Sequence, residues 1–152
     1  MMRNVLIIQG HPDAEAGHFC HALADAYAAG AENAGHEVRR IEVASLDFPI
    51  LRTRQEWEDG PPPDDIRRAQ DEIRRADHLV LVYPLWLGAM PALLKGFLEQ
   101  VLRQSFAFGR PAGAWRPALK GRSARIVVTM GMPATVYRWY FGAHSLKSLE
   151  RN

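Results

Sequence analysis

The stretch from His78 to Gly96 fixes most of what this chain can fold into. His78 to Tyr83 reads as the third strand, its apolar run Leu79 to Tyr83 stopping at Pro84, which has no N–H to continue a ladder. Pro91 then supplies the fixed φ suited to a first helical turn. Between the two prolines lie Trp86, Leu87, Gly88 and Met90, a loop suited to face a flat ring. A buried strand joined through such a loop to a helix belongs to an open α/β sheet, and these sheets hold their ligands at the carboxyl ends of their strands.

The rest of the chain repeats the unit. Asn4 to Gln9, bounded by Gly10 and Pro12, reads as a fully buried strand. Phe19, Leu23, Ala26, Tyr27 and Gly30 then recur at helical spacing, with a carboxyl stop at Asn33-Ala34-Gly35. Val38, Ile41 and Val43 mark a second, less cleanly patterned strand. Leu46 to Pro63, with Phe48, Trp57 and three closing prolines, reads as an ordered surface excursion rather than an interdomain linker. Asp64-Asp65 opens a helix with the inward stripe Ile66, Ala69, Ile73 and Ala76, acids at its start and arginines further along. Pro91 to Arg103 presents Leu94, Phe97, Leu98, Val101 and Leu102 on one face; Gly96 within it costs about 1 kcal/mol against Ala and implies close packing. A loop with Phe106, Phe108, Trp115 and Pro117 leads to a fourth strand, Ala124 to Met130.

Alternating strands and helices, with strands apolar on both faces, predict a parallel sheet covered on both sides: a doubly wound, three-layer α/β/α domain. If the second strand lies on one side of the first and the third and fourth on the other, a crevice opens between strands one and three. Its rim carries the loops after Gln9, Tyr83 and Met130.

Composition narrows the function. The 152 residues, 47% of them hydrophobic, make one domain spanning 1–152. A formal net charge of +2 without a long run of like charges argues against nucleic acid. The one early apolar run, Val5 to Ile8, is too short to span a membrane. Cys20 is the single cysteine and pairs with no other in the chain, which fits a reducing cytoplasm and a small packed side chain rather than a nucleophile.

The first rim loop, Gly10 to Phe19, enters a helix whose free N–H groups suit a phosphate, and His11, His18 and His21 add donors. Asp13 and Glu15 bring opposing charge, and neither a dinucleotide glycine fingerprint nor a Walker lysine is present, which disfavours ATP and Rossmann-type NAD sites. By residue type alone His11 is a turn residue and His18 a helix-start residue; convergence of three loops is what favours a binding role. The third loop, Thr129-Met130-Gly131-Met132-Pro133, offers small, flexible backbone to a planar ligand. Tyr137 and His144 follow as hydrogen-bond donors toward an oxygen gaining charge on reduction. Trp139, Tyr140 and Phe141 read as an aromatic cluster packing a core or subunit interface.

In this order (His-Pro-Asp loop, Ala-rich helix, Tyr83-Pro-Leu-Trp-Leu-Gly-Ala-Met-Pro-Ala-Leu-Leu-Lys-Gly96, Thr-Met-Gly-Met and a following Tyr) the chain resembles the flavodoxin-like NAD(P)H:quinone oxidoreductases. These include DT-diaphorase, the modulator-of-drug-activity proteins and the ancillary reductases of potassium-efflux systems. The resemblance implies a non-covalent flavin, FMN or FAD, with NAD(P)H as co-substrate, a quinone acceptor, a homodimer and no metal. It implies that His11, His18 and Phe19 surround the flavin phosphate, and that Leu85, Trp86, Leu87 and Gly88 hug the isoalloxazine edge through backbone groups. It sets Thr129, Met130 and Gly131 at the pyrimidine side, where the family's Thr-Thr-Gly-Gly has lost its second Thr and second Gly. Tyr137 falls at the spacing of the tyrosine that assists hydride transfer, His144 near its histidine partner at a spacing that moves by one residue with the alignment, and Phe106 and Phe108 where aromatics cover the flavin face as the acceptor site. The family's fifth strand and last helix have no counterpart before Asn152, so the resemblance implies a C-terminally shortened domain in which strand four is an exposed edge or is covered by a partner. A second expectation is a flavin-binding regulatory or adaptor subunit of a cation-efflux system. A flavodoxin-type carrier is disfavoured because its hydroxyl-rich phosphate loop is absent, and a response regulator because clustered acids after strand one are.

Overall fold

The computed structural model describes residues 2–15, 17–107, 119–140 and 142–151. Four strands, β1 (Asn4–Gln9), β2 (Glu37–Glu42), β3 (His78–Pro84) and β4 (Ser123–Thr129), form one sheet among the described residues, all parallel and ordered β2-β1-β3-β4. This is the predicted reversal: the chain leaves β1 to one side for β2, then crosses to the other for β3 and β4.

Each layer follows from the alternation of side chains along β1 and β3. Val5, Ile7, Val80 and Val82 point to one face and pack under α1 (Phe19–Asn33) through Cys20, Ala24 and Ala28. Leu6, Ile8 and Tyr83 point to the other face. There they meet Ile66, Ala69 and Ile73 of α3 (Asp64–Arg75) and Leu94, Phe97 and Val101 of α4 (Ala92–Val101). The α3 stripe read from the sequence is buried throughout, as are three of the five apolar positions of α4. Gly96 is looser than expected, since an added Cβ would lie 3.7 Å from the Phe48 ring, an ordinary contact.

The edge strands depart from the two-faced apolar pattern. β2 reads Glu-Val-Arg-Arg-Ile-Glu and buries only Ile41 fully, because it pairs with β1 alone; Val43, expected at its end, sits in a 3-10 turn (Val43–Ser45) and is fully buried. β4 pairs with β3 and is half-buried or exposed along its length.

The excursion between β2 and α3 is packed and bonded to the α4 side. It includes a short helix, α2 (Arg54–Glu58), capped by the Thr53 hydroxyl, which accepts from the Glu56 N–H at 3.1 Å. Buried Arg103 donates to the carbonyls of Glu56 (2.8 Å) and Gly60 (2.7 Å), and the Gln100 carboxamide donates to Pro49 O (2.5 Å). A second short helix, α5 (Gln104–Ala107), follows α4. Beyond β4 come α6 (Ala134–Trp139) and α7 (His144–Arg151), the latter tied to the sheet where the Ser145 and Tyr83 hydroxyls share a buried hydrogen bond of 2.9 Å.

Gly10 is the tightest point between the layers. Its N–H donates to Val82 O at 2.7 Å, and a Cβ there would lie 2.6 Å from a methyl carbon of Leu94, itself fully buried. Gly10→Ala is therefore expected to cost about 1–3 kcal/mol in chemical denaturation and Leu94→Ala about 2–5 kcal/mol. The double variant should lose less than the sum of the two; strict additivity would show that the two positions do not compete for space.

Candidate functional site

Three loops leave the carboxyl ends of β1, β3 and β4 at one rim, and the ladder register sets their heights. Gln9 lies opposite Val82, and Pro84 opposite Thr129. The Leu85 N–H continues the ladder by donating to Thr129 O at 2.8 Å.

After β1 the chain turns through a histidine-rich loop. The rings of His11 and His18 stack at 4.0 Å between centroids, and His21 lies 5.6 and 5.7 Å from them. His18 contacts Asp13 through Nε2 at 2.9 Å, and Asp13 also accepts the Glu15 N–H at 2.9 Å. These contacts, the backbone N–H foremost, hold the Asp13 carboxyl below its usual range. His11 Nδ1 lies 3.1 Å from the Asp13 N–H and 3.2 Å from the Asp13 carbonyl. With Nδ1 unprotonated the ring accepts the first, and with Nδ1 protonated it donates to the second. Burial, then repulsion from His18 and His21, lowers the His11 pKa against the partial support of the Asp13 carbonyl.

After β3 the backbone makes a tight reversal. Trp86 and Ala89 exchange two N–H···O bonds of 2.9 Å around Leu87 (φ 48°) and Gly88 (φ 74°). Two positive φ values in succession are the signature of a type I′ turn. Gly88 adopts this freely, whereas Leu87 does so at about 1–2 kcal/mol and with its side chain fully exposed at the tip. Trp86 is half-exposed, its ring edge-on to His11 at 6.3 Å. Phe19, also exposed, opens α1 just past the His18 N-cap.

After β4, Thr129 turns inward: its hydroxyl and the Cys20 thiol lie 3.1 Å apart beneath α1, and its carbonyl is taken by Leu85. Burial raises the Cys20 pKa, in keeping with a packed thiol. What this loop offers outward is therefore backbone at Met130 and exposed Gly131.

The carried-over catalytic pair is not joined. Tyr137 is 3% exposed and its hydroxyl has no hydrogen-bond partner among the described residues. His144 is exposed, with its ring folded over Gly142, where an added Cβ would lie 2.9 Å from Nε2. Phe106 is not at the rim. It lies in α5, a full α4 length away, 4% exposed in the core, with the Arg74 guanidinium 4.7 Å over its ring. Arg74 belongs to the last turn of α3, which leads into the first residue of β3, so Phe106 sits toward the opposite end of the sheet. Phe108 lies outside the described residues.

One rim residue, Gln9, was not singled out by sequence, and His21, read there as an added donor, joins it. Gln9 is 3% exposed; its Oε1 accepts the His11 N–H at 3.3 Å while Nε2 has no partner among the described residues. His21 Nδ1 is likewise buried and unpartnered. The signal for Gln9 was a polar side chain ending an apolar run in phase with Val5 and Ile7.

The chain matches, over residues 3–152, the family described as having a flavodoxin-like fold. It belongs to that family. An uncharacterized NAD(P)H oxidoreductase of Haemophilus influenzae is 31% identical over 138 residues, 89% of this chain and 68% of that protein. A glutathione-regulated potassium-efflux system ancillary protein, KefG, of Enterobacter is 40% identical over 74 residues, 49% of this chain and 38% of the relative. Among solved structures, an NAD(P)H:quinone oxidoreductase from Methanothermobacter marburgensis superposes with a TM-score of 0.74 at 23% identity, covering 95% of this chain and 71% of that one. An FMN-dependent NADH-azoreductase from Bacillus anthracis in complex with FMN does so with a TM-score of 0.69 at 17% identity, covering 97% and 78%. At those identities the two structures speak to the fold alone.

The strain at Leu87 makes a stability test. Leu87→Gly relieves the left-handed backbone and is expected to leave thermal unfolding unchanged or raise stability by up to about 1 kcal/mol. A loss of more than that would show that the Leu87 side chain packs against this fold.

Proposed function

We propose that this chain is a flavin-dependent oxidoreductase that takes a hydride from NAD(P)H and delivers it to a quinone-type acceptor. The observation that carries the reading is the composition of one rim. It combines a partly exposed Trp86, outward backbone at Met130 and Gly131, a histidine-lined helix start, and buried polar atoms at Gln9, His21 and Tyr137 that lack partners among the described residues. A flavin nucleotide matches that set, with a flat apolar ring for Trp86 and a phosphate for the histidines and the first amides of α1. The NAD(P)H oxidoreductase relative supports the same activity, and the FMN-bound structural neighbour makes FMN the form to test first.

The flavin supplies hydride acceptance and donation when bound; this chain's residues orient it and tune its surroundings. His11 and His18 hold the phosphoryl end, while the Trp86–Ala89 turn and the amides after Thr129 fix the ring edge. Tyr137 offers its buried O–H to an oxygen that gains charge during the reaction, while the exposed His144 ring lies over Gly142. Val136, Trp139 and Tyr140 are exposed apolar surface beside this site, which supports a homodimer in which the partner completes the acceptor pocket. The match to the efflux-system ancillary protein favours a second reading, a flavin-binding adaptor with negligible turnover. Purified protein supplied with FMN should be yellow and bleach with NADH or NADPH, and quinone should restore the colour. Retained flavin without bleaching would favour the adaptor, and no retained flavin would remove both readings.

Two further outcomes separate residue roles. Trp86→Ala should weaken flavin binding. Tyr137→Phe should slow turnover with flavin retained and raise stability by about 1 kcal/mol, since it deletes an unpaired buried hydroxyl; equal cofactor loss in both variants would contradict the assignment. The His11 pKa, held below 6.5 in this loop, rises when a phosphoryl dianion binds, so binding takes up a proton. With Asp13 still ionised, His18 and Glu15 sharing the loop and His21 in the helical turn that follows, FMN affinity should rise as pH falls from about 8 toward 6.5 while riboflavin affinity stays flat. Parallel pH profiles for the two would place His11 away from the phosphate.

A further inference from the structure

Three glutamines are buried in this protein, and two of them have their carboxamide nitrogens engaged. Gln70 Nε2 donates to Val101 O at 2.9 Å and Gln100 Nε2 to Pro49 O at 2.5 Å, each stitching an element to its neighbour. Gln9 differs. Its Oε1 takes the His11 N–H at 3.3 Å, which directs the carboxamide toward the start of the histidine loop, while its Nε2 meets no acceptor among the described residues. A buried N–H group without an acceptor is costly enough to be rare, and a ligand that supplies the acceptor is one way a folded chain offsets that cost. Leu or Val at position 9 would extend the apolar series of Val5 and Ile7 without that cost. A second orphan lies in the first turn of α1: His21 Nδ1 is buried and unpartnered among the described residues, and its ring lies 5.6 Å from His11 and 5.7 Å from His18. Two unused nitrogens thus flank the loop that leads into the first turn of α1, where backbone N–H groups already favour negative charge.

We propose that Gln9 Nε2, with His21 as a second donor, hydrogen-bonds an anionic phosphoryl group held in the β1–α1 loop, making Gln9 the residue that discriminates phosphorylated flavin from riboflavin. The inference rests on the flavoprotein reading and deepens it. Oε1 holds the loop through His11 whether or not the anion is present; Nε2 contributes only when it is. Gln9 is thereby a specificity residue, while the ring-facing loops supply affinity common to both flavins.

Titrations of the full chain with FMN and with riboflavin, followed by quenching of flavin fluorescence, test this. Gln9→Glu keeps the acceptor for the His11 N–H and replaces the donor with a negative oxygen. It should weaken FMN about tenfold or more and riboflavin less than about twofold, which is at least about 1.4 kcal/mol confined to the phosphoryl group. Gln9→Met removes both polar atoms at similar size and should weaken FMN by a smaller factor in the same selective sense, and it serves if Gln9→Glu does not fold. Equal weakening of both flavins, or no change in either, would overturn the assignment while leaving the flavoprotein reading intact. Wild-type protein that binds neither flavin would remove that reading and this one with it.

Discussion

The pairing of β1 with β3 is the contact on which the rest depends. It sets Gln9 opposite Val82 and brings the Gly10 N–H to Val82 O, so the histidine loop leaves the sheet beside the loop that carries Trp86. A slip of one residue would turn Val5, Ile7 and Gln9 to the α3–α4 side and Leu6 and Ile8 beneath α1, exchanging the two cores. Gly10 enforces the arrangement, because Leu94 occupies the space where its side chain would be. The same register, carried to β4, lets Leu85 bond to Thr129 and brings the third loop to the common rim.

Around that rim several local costs gather. Leu87 holds a left-handed backbone with an exposed apolar side chain, and Gln9, His21 and Tyr137 bury polar atoms without partners. The excursion on the α4 side shows the opposite habit: Arg103, Gln100 and Gln70 are buried and find carbonyl acceptors. Of the four buried side-chain polar atoms without partners among the described residues, three gather toward this end of the sheet and one, His36 Nδ1, precedes β2; that concentration is what a binding site on an otherwise self-sufficient scaffold looks like.

Most of the fold was legible in the sequence because its signals are local. Two prolines bracket the β3–α4 loop, a continuous branched apolar run encodes β1, and Ile66, Ala69 and Ile73 repeat at helical spacing. What was not legible depends on neighbours. β2 lacks an apolar pattern because it is an edge strand, and α2 and α5 are too short to show a period. Thr129 follows the same logic: at the end of β4 its residue type suits a ligand contact, but strand alternation turns it beneath α1, where Cys20 meets it. Phe106 looked like a ring-facing aromatic, yet α4 carries the chain away from the rim before Phe106 is reached. Gln9 is the converse case, a polar residue hidden at the end of an apolar run, whose meaning appears only once both other buried glutamines are seen to be bonded.

The central claim is that one rim, built from the loops after β1, β3 and β4, grips a flavin from three sides. A crystal structure of the chain soaked or grown with FMN tests it most directly. The account expects the isoalloxazine ring against the Trp86–Ala89 turn and the backbone after Thr129, with the phosphate among His11, His18 and the first amides of α1. A flavin bound elsewhere on the sheet, or a rim closed by its own side chains with FMN in excess, would contradict it.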